Sequence, residues 1–138
     1  MGVLSIFSGI LWGAVSDAVG RKYALAMIFA LQAACYALMA GGHAQAVLLL
    51  SAAIFGLTAW SIPGVVAAAC GDYVGGRLAP AALGMVTLCF AAGQAVAPSV
   101  AGYLADLTRS FAPALYLAAG VAALGSLGSL TLRPPKAR

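Results

Sequence analysis

The chain has 138 residues, of which 64% are hydrophobic and only 7% are charged, and it contains neither Glu nor Asn. A soluble domain carries roughly 25% charged residues and about half apolar residues, so this composition excludes a water-soluble fold. The mean hydropathy of +1.04 indicates an integral membrane protein.

The positions of the charged residues predict where the membrane spans lie. The charges fall within 17–22, 72–77, 106–109 and 133–138, and they delimit charge-free stretches of 16, 49, 28 and 23 residues. A helix that crosses a hydrocarbon core about 30 Å thick needs roughly 20 residues. The 49-residue stretch therefore holds two spans, divided at the polar and flexible segment 41–45.

We predict an all-α, polytopic membrane helix bundle in a single membrane domain that covers residues 1–138. Its five transmembrane helices are predicted, in chain order, at 1–16, 22–40, 46–70, 79–105 and 111–132. The first span is too short for the hydrocarbon core, because its residues rise only about 24 Å. We therefore expect the chain to be part of a longer protein. No signal peptide is predicted, since no basic residue precedes the apolar segment and a charged turn follows it.

Basic residues predict the orientation in the membrane, because the short loops on the cytoplasmic side carry an excess of Lys and Arg. One side of the predicted bundle has only Arg109 and His43. The opposite side has the remaining basic residues, which are Arg21, Lys22, Arg77, Arg133, Lys136 and Arg138. This bias predicts a cytoplasmic C-terminus and explains the pI of about 9.3. A nucleic-acid partner is not predicted, since the cations form no continuous stripe.

The chain offers no constellation for catalysis, metal binding or cofactor binding. A hydrolase needs a nucleophile, a base and an orienting group in reach, but the only His is His43, in a glycine loop, and there is no Glu. Cys35, Cys70 and Cys89 lie on three different predicted helices without a C-x-x-C pair, so we expect small buried hydrophobic residues and no metal site. No phosphate-binding loop is present, so we predict neither an enzyme nor a cofactor.

Ionisable side chains are confined to the ends of the predicted spans. Asp17, Asp72 and Asp106 each lie at the C-terminal end of a predicted helix, where the helix macrodipole disfavours an anion. We therefore expect each carboxylate to have a compensating partner. For Asp17 the sequence offers Arg21, four residues further along the chain. The alternative is that Asp17 simply ends a span in water.

Residues 13–22 read G-x-x-x-D-x-x-G-R-K and resemble the signature loop of the major facilitator superfamily. That loop lies between helices 2 and 3 and is repeated more weakly between helices 8 and 9. The matching residues are Gly13, Asp17, Gly20, Arg21 and Lys22. Ala18 departs from the fuller pattern, which has a basic residue there, and this favours the copy in the second half. The resemblance implies helices 8 to 12 of a twelve-helix secondary transporter in a bacterial inner membrane, without its N-terminal half.

The later spans are similar to the last helices of bacterial YbfB-like facilitators, on the basis of segments 72–77, 93–98 and 102–106. In the fourth span small residues recur at every fourth position from Gly93 to Ala105, which suits close helix packing. Pro98 removes a backbone hydrogen bond and permits a kink, and Gly102 lies one turn beyond it.

The resemblance implies a role for the signature loop. In the superfamily the motif Asp engages a neighbouring helix end across the interface of the two halves and stabilises one alternating-access state. Asp17 and Arg21 would hold that role, with Gly13 leaving room for contact and Gly20 making the turn. The implied partners are a small-molecule substrate, the lipid bilayer, and either the missing N-terminal half or a second copy.

Polar and aromatic residues at mid-span are the candidates for a substrate cavity. Among them we single out Gln94, Gln32 and Trp60. The alternative for Gln94 is a hydrogen bond between helices, and for Trp60 it is packing or anchoring at the membrane interface. So few polar residues indicate a hydrophobic or small, weakly polar solute.

A second class of function remains open. The chain could be a stand-alone small membrane protein that associates through its Gly and Ala faces in a structural or accessory role. Coding sequence directly upstream with about seven further apolar spans would favour the transporter, and its absence would favour the small protein.

Overall fold

The computed structural model describes residues 2–42 and 44–133, and within these ranges the chain is helical, without a strand. Six helices follow one another in the chain. They are α1 (Gly2–Val19), α2 (Arg21–Gly41), α3 (Gln45–Thr58), α4 (Ile62–Val74), α5 (Ala79–Thr108) and α6 (Ala112–Leu130). The predicted all-α bundle is confirmed.

Four segments of the described chain are long and apolar enough to cross a membrane. They are Arg21–Gly41, Gln45–Val74, Ala79–Thr108 and Ala112–Leu130. The apolar α1, of 18 residues, precedes them. The polar segment 41–45 separates α2 from α3, where the long charge-free stretch was expected to divide. His43, Lys136 and Arg138 lie outside the described residues.

The segment predicted as one span over 46–70 is interrupted in its middle. α3 ends at Thr58, α4 begins at Ile62, and Ala59–Ser61 form a turn between them. Pro63, in the first turn of α4, explains the position of this break. Proline has no N–H to donate to the carbonyl four residues earlier, and its ring collides with that carbonyl, here the one of Ala59.

α2 is the central helix and packs against α1, α3, α4 and α6. It runs antiparallel to α6, as shown by the Ser126 hydroxyl, which donates to the Ala26 carbonyl at 2.8 Å, and by Gly125, which faces the ring of Phe29. The core lies where α1, α2 and α4 meet. Its buried members are Trp12, Ala24, Leu25, Ile28, Val65 and Ala69.

α5 lies at the edge of the bundle, against α4 and α6. It continues through Pro98, and none of its 30 residues is buried. This exposure corrects one expectation: Cys35 is buried, but Cys70 is only half-buried and Cys89, on α5, is exposed. The unburied helix presents apolar side chains such as Met85 and Leu88 to the surroundings of the chain.

Candidate functional site

Arg21, the first residue of α2, holds two carboxylates at one end of the bundle. Its Nε donates to Asp72 Oδ2 at 2.7 Å. Its Nη1 lies 2.6 Å from Asp17 Oδ1 and donates to Ser16 Oγ at 2.8 Å. Asp17 belongs to α1 and Asp72 to α4, so one guanidinium joins three helices. We call Asp17, Arg21 and Asp72 the Arg21 cluster.

Each charge of the Arg21 cluster sits at the unfavourable end of its own helix. Asp17 and Asp72 lie in the last turns of α1 and α4, where the macrodipole is negative, and Arg21 begins α2, where it is positive. Such placements cost about 0.3–1 kcal/mol each. Because the three charges offset one another only while the three helix ends meet, the cluster makes the free energy of the bundle depend on how those ends are arranged.

The two ion pairs differ in exposure. The side chain of Arg21 is 20% exposed, against 45% for Asp72 and 67% for Asp17. Exposed ion pairs contribute only about 0.2–1 kcal/mol, so the pair with Asp72 is the stronger structural contact. Asp17 keeps most of its carboxylate free for a further partner.

An open cavity of about 300 Å³ lies beside the cluster, enough for about ten water molecules. Its wall contains all three charges of the cluster together with Lys22, Tyr23 and Tyr73. This mixture of charges and aromatic rings has partners for a polar group or for the end of another helix.

Gly20 alone separates α1 from α2. Its backbone has φ 96° and ψ 147°, a region open essentially to glycine only. The Gly20 N–H donates to the Ser16 carbonyl at 3.1 Å, and the Ala24 N–H donates to the Gly20 carbonyl at 3.1 Å. This one-residue turn brings Arg21 back onto Asp17.

Gly20→Ala is therefore expected to lower the free energy of unfolding in detergent by about 1–3 kcal/mol, because a Cβ strains this conformation. Thermal unfolding followed by circular dichroism measures the loss. Gly84→Ala is the matched control, since Gly84 is helical and an added Cβ meets no atom within 4 Å. A Gly20→Ala protein as stable as the control would contradict a required turn.

The other two signature residues lie beside the cluster. A Cβ added at Gly13, one turn before Asp17 on α1, meets no atom within 4 Å, so this face of α1 has room for a neighbour. Lys22 Nζ lies 4.7 Å from the centre of the Tyr23 ring, in cation–π geometry, and is not in the ion pairs with Asp17 and Asp72.

Asp72 is the member of the cluster that sequence reasoning did not assign. The sequence marks it as a carboxylate in need of a partner, but 51 residues separate it from Arg21. No local spacing shows which helix ends meet, so the pairing becomes visible only in the fold.

The candidate substrate residues do not come together in one cavity of the described chain. Gln32 is buried on α2 at 7% exposure, and Trp60, in the turn between α3 and α4, is 66% exposed. Gln94 is exposed on α5. Neither the cavity at the Arg21 cluster nor an open groove along α5 between Pro80 and Ala91 is lined by these three residues.

The candidate packing residues of α5 lie on an uncovered helix. Gly93 and Pro98 are exposed and Gly102 is half-buried. A Cβ added at either glycine meets no atom within 4 Å. The role of these positions in packing therefore stays a prediction.

Comparison with known proteins adds one finding. A family model described as "Uncharacterised MFS-type transporter YbfB" matches residues 1–130. No curated protein and no solved structure is significantly similar to the chain.

Proposed function

Because this chain belongs to the YbfB-like branch of the major facilitator transporters, we propose that it is the C-terminal part of a secondary transporter, helices 8 to 12, and moves a small solute by alternating access. The family is one of membrane transporters, with a small-molecule substrate and a lipid environment. The observation that carries the proposal is the Arg21 cluster, which joins α1, α2 and α4 at one end of the bundle.

The geometry of the cluster supports a role as a conformational switch. Its charges compensate one another in the arrangement of three helix ends that brings Asp17, Arg21 and Asp72 together. Its most exposed member, Asp17, has room around it because Gly13 leaves the same face bare. In this account Asp17 engages a helix end of the opposite bundle in one access state and releases it in the other.

The uncovered surface of α5 is an argument that further helices pack against this bundle. A helix of 30 residues without a buried side chain gains little from this bundle alone. We infer that α5 packs against the N-terminal half or against a second copy, with the small residues from Gly93 to Gly102 at the contact. One incomplete bundle cannot enclose a site at the membrane midplane.

The orientation follows from the basic residues. Arg21 and Lys22 lie at the same end of the bundle as Arg77, which follows α4, and Arg133, which follows α6. We propose that this end faces the cytoplasm of a bacterial cell, across its inner membrane. Coupling to protons would then depend on groups outside these spans, because α1 to α6 carry acidic residues only near their ends.

The solute in this proposal is hydrophobic or small and weakly polar. Gln94 supplies a polar contact and Trp60 an aromatic surface, while Gln32 is buried on α2 in this arrangement. Gln94 and Trp60 are exposed in this chain and available to a cavity that forms between two bundles.

Asp17→Ala tests the proposed switch in the complete reading frame that contains these residues. We expect the transport rate to fall by about fivefold or more, since coupling energies between conformations are typically 1–3 kcal/mol. Membrane insertion should stay unchanged, and an immunoblot of the membrane fraction checks it. The control is Asp106→Ala, which removes the same charge near the end of α5, at the opposite end of the bundle. An unchanged rate for Asp17→Ala would overturn the switch role.

A further inference from the structure

The break between α3 and α4 leaves the Leu57 carbonyl without its helical partner, and α1 supplies replacement donors. In an unbroken helix the Leu57 carbonyl would accept from the Ser61 N–H, which instead donates to the Thr58 carbonyl at 3.2 Å. The Leu57 carbonyl accepts from the Ser8 hydroxyl at 2.6 Å and from Trp12 Nε1–H at 2.8 Å. Both of its lone pairs are therefore used.

We call Ser8, Trp12 and the Leu57 carbonyl the α1 clamp. Ser8 and Trp12 are four residues apart and therefore share one face of α1. They are almost fully buried, at 0% and 8% exposure, and so is Ser61 across the break, at 2%. In a bilayer no water competes for these groups, so the freed carbonyl needs a protein donor. The clamp fixes the end of α3 to α1.

α4 has a different attachment. Beyond the turn at Ala59–Ser61 it extends 13 residues to Val74, and near its far end Asp72 is held by Arg21. The two contacts differ in kind: the clamp is buried and neutral, whereas the ion pair lies at the bundle end and is 20% and 45% exposed. The ion pair is the contact that opens more readily, since water can replace it.

We propose that Ser8 and Trp12 are positioning residues that make the turn at 59–61 the pivot of a moving α4. Once the Arg21–Asp72 pair is open, α4 is still held by the packing of Val65 and Ala69 in the core. It moves by shifting that packing along α1 and α2, while the clamp keeps α3 with α1. The third span then changes shape during transport rather than tilting as one rod. The role of this pivot in transport rests on the proposed function. The movement of α4 about the turn is a property of these helices alone, and it is tested without a transport assay.

The test is hydrogen–deuterium exchange with mass spectrometry on the full chain in detergent. In Arg21→Gln we expect exchange to rise about two- to fivefold in 62–74 and to stay unchanged in 45–58. This range follows from the strength of a partly exposed ion pair. Equal rises in both segments would mean that the span moves as one rod and would overturn the pivot.

Trp12→Phe tests the clamp, since it removes the N–H donor and keeps an aromatic ring. In Trp12→Phe we expect exchange to rise in 55–61. In the double variant that also carries Arg21→Gln, we expect exchange to rise throughout 45–58 as well. Trp60→Phe is the matched control, because Trp60 lies in the turn and is 66% exposed. No change at 55–61 in Trp12→Phe, or the same change in Trp60→Phe, would overturn the clamp.

Ser8→Ala keeps the test decisive if Trp12→Phe loosens the whole bundle. Exchange in α6 reports overall folding, because α6 packs on α2 away from the clamp. If it rises in Trp12→Phe, the milder Ser8→Ala decides: a rise confined to 55–61 supports the clamp, and no rise there contradicts it. The transport rate of the Asp17→Ala variant tests only the proposed switch, and hydrogen exchange tests only the pivot. Either proposal can therefore fail without the other.

Discussion

Arg21→Gln is expected to slow transport by the complete reading frame about tenfold or more. The change removes the cation shared by Asp17 and Asp72 and leaves two carboxylates uncompensated at helix C-termini. Hydrogen bonds to charged groups contribute about 1.5–3 kcal/mol, and the partial exposure of this site lowers that figure. A remaining difference of about 1.4 kcal/mol between two access states is a factor of ten in their populations. Initial rates of solute flux into membrane vesicles measure it.

Two further variants separate this effect from a loss of positive charge. Lys22→Gln removes the neighbouring cation, which is in neither ion pair with Asp17 or Asp72, and should keep most of the rate. Adding Asp72→Asn to Arg21→Gln neutralises a carboxylate that has lost its partner, so part of the rate should return. A wild-type rate for Arg21→Gln, or equal losses in the Arg21 and Lys22 variants, would contradict the role of the cluster.

Ile28→Ala is expected to destabilise the core of the bundle. Ile28 has 0% exposure at the centre of the core formed by α1, α2 and α4. Lipid is as apolar as a side chain, so the hydrophobic transfer contribution largely vanishes in a bilayer, but the lost packing contacts remain. We expect the free energy of unfolding to fall by about 1–3 kcal/mol, an interval that overlaps only the lower part of the range for soluble proteins. Denaturation in mixed detergent micelles measures it.

Leu31→Ala is the matched control on the same helix. Leu31 lies about one turn from Ile28 and is 39% exposed, so its removal leaves a smaller cavity. We expect a change within about 0.5 kcal/mol. If both variants lose the same free energy, the core is not where the structure places it.

The sequence predicted the features that depend on local composition. Long charge-free stretches require helices in a bilayer, and α2 ends at Gly41 and α3 begins at Gln45, where the sequence predicted the division between two of them. The four-residue spacing of Asp17 and Arg21 was sufficient to suggest their pairing, which the structure shows at 2.6 Å across the turn at Gly20.

Features that depend on tertiary contacts were not predicted. Pro63 is a local signal for the break at Ala59–Ser61. The donors that Ser8 and Trp12 supply to the freed Leu57 carbonyl, by contrast, become visible only in the fold. The partner of Asp72 likewise depends on which helix ends meet. Burial of Cys89 was expected from its residue type, whereas its exposure follows from the position of α5 at the edge of the bundle.

The most direct test of the central claim is a flux assay on the complete reading frame. Inside-out and right-side-out vesicles would be given a panel of radiolabelled solutes, from lipophilic cations to small weakly polar acids and alcohols. We predict that at least one solute crosses with a rate that saturates as its concentration rises, because alternating access has a finite turnover. Flux equal to that of vesicles without the protein for every solute, or flux that rises linearly without saturation, would contradict the account.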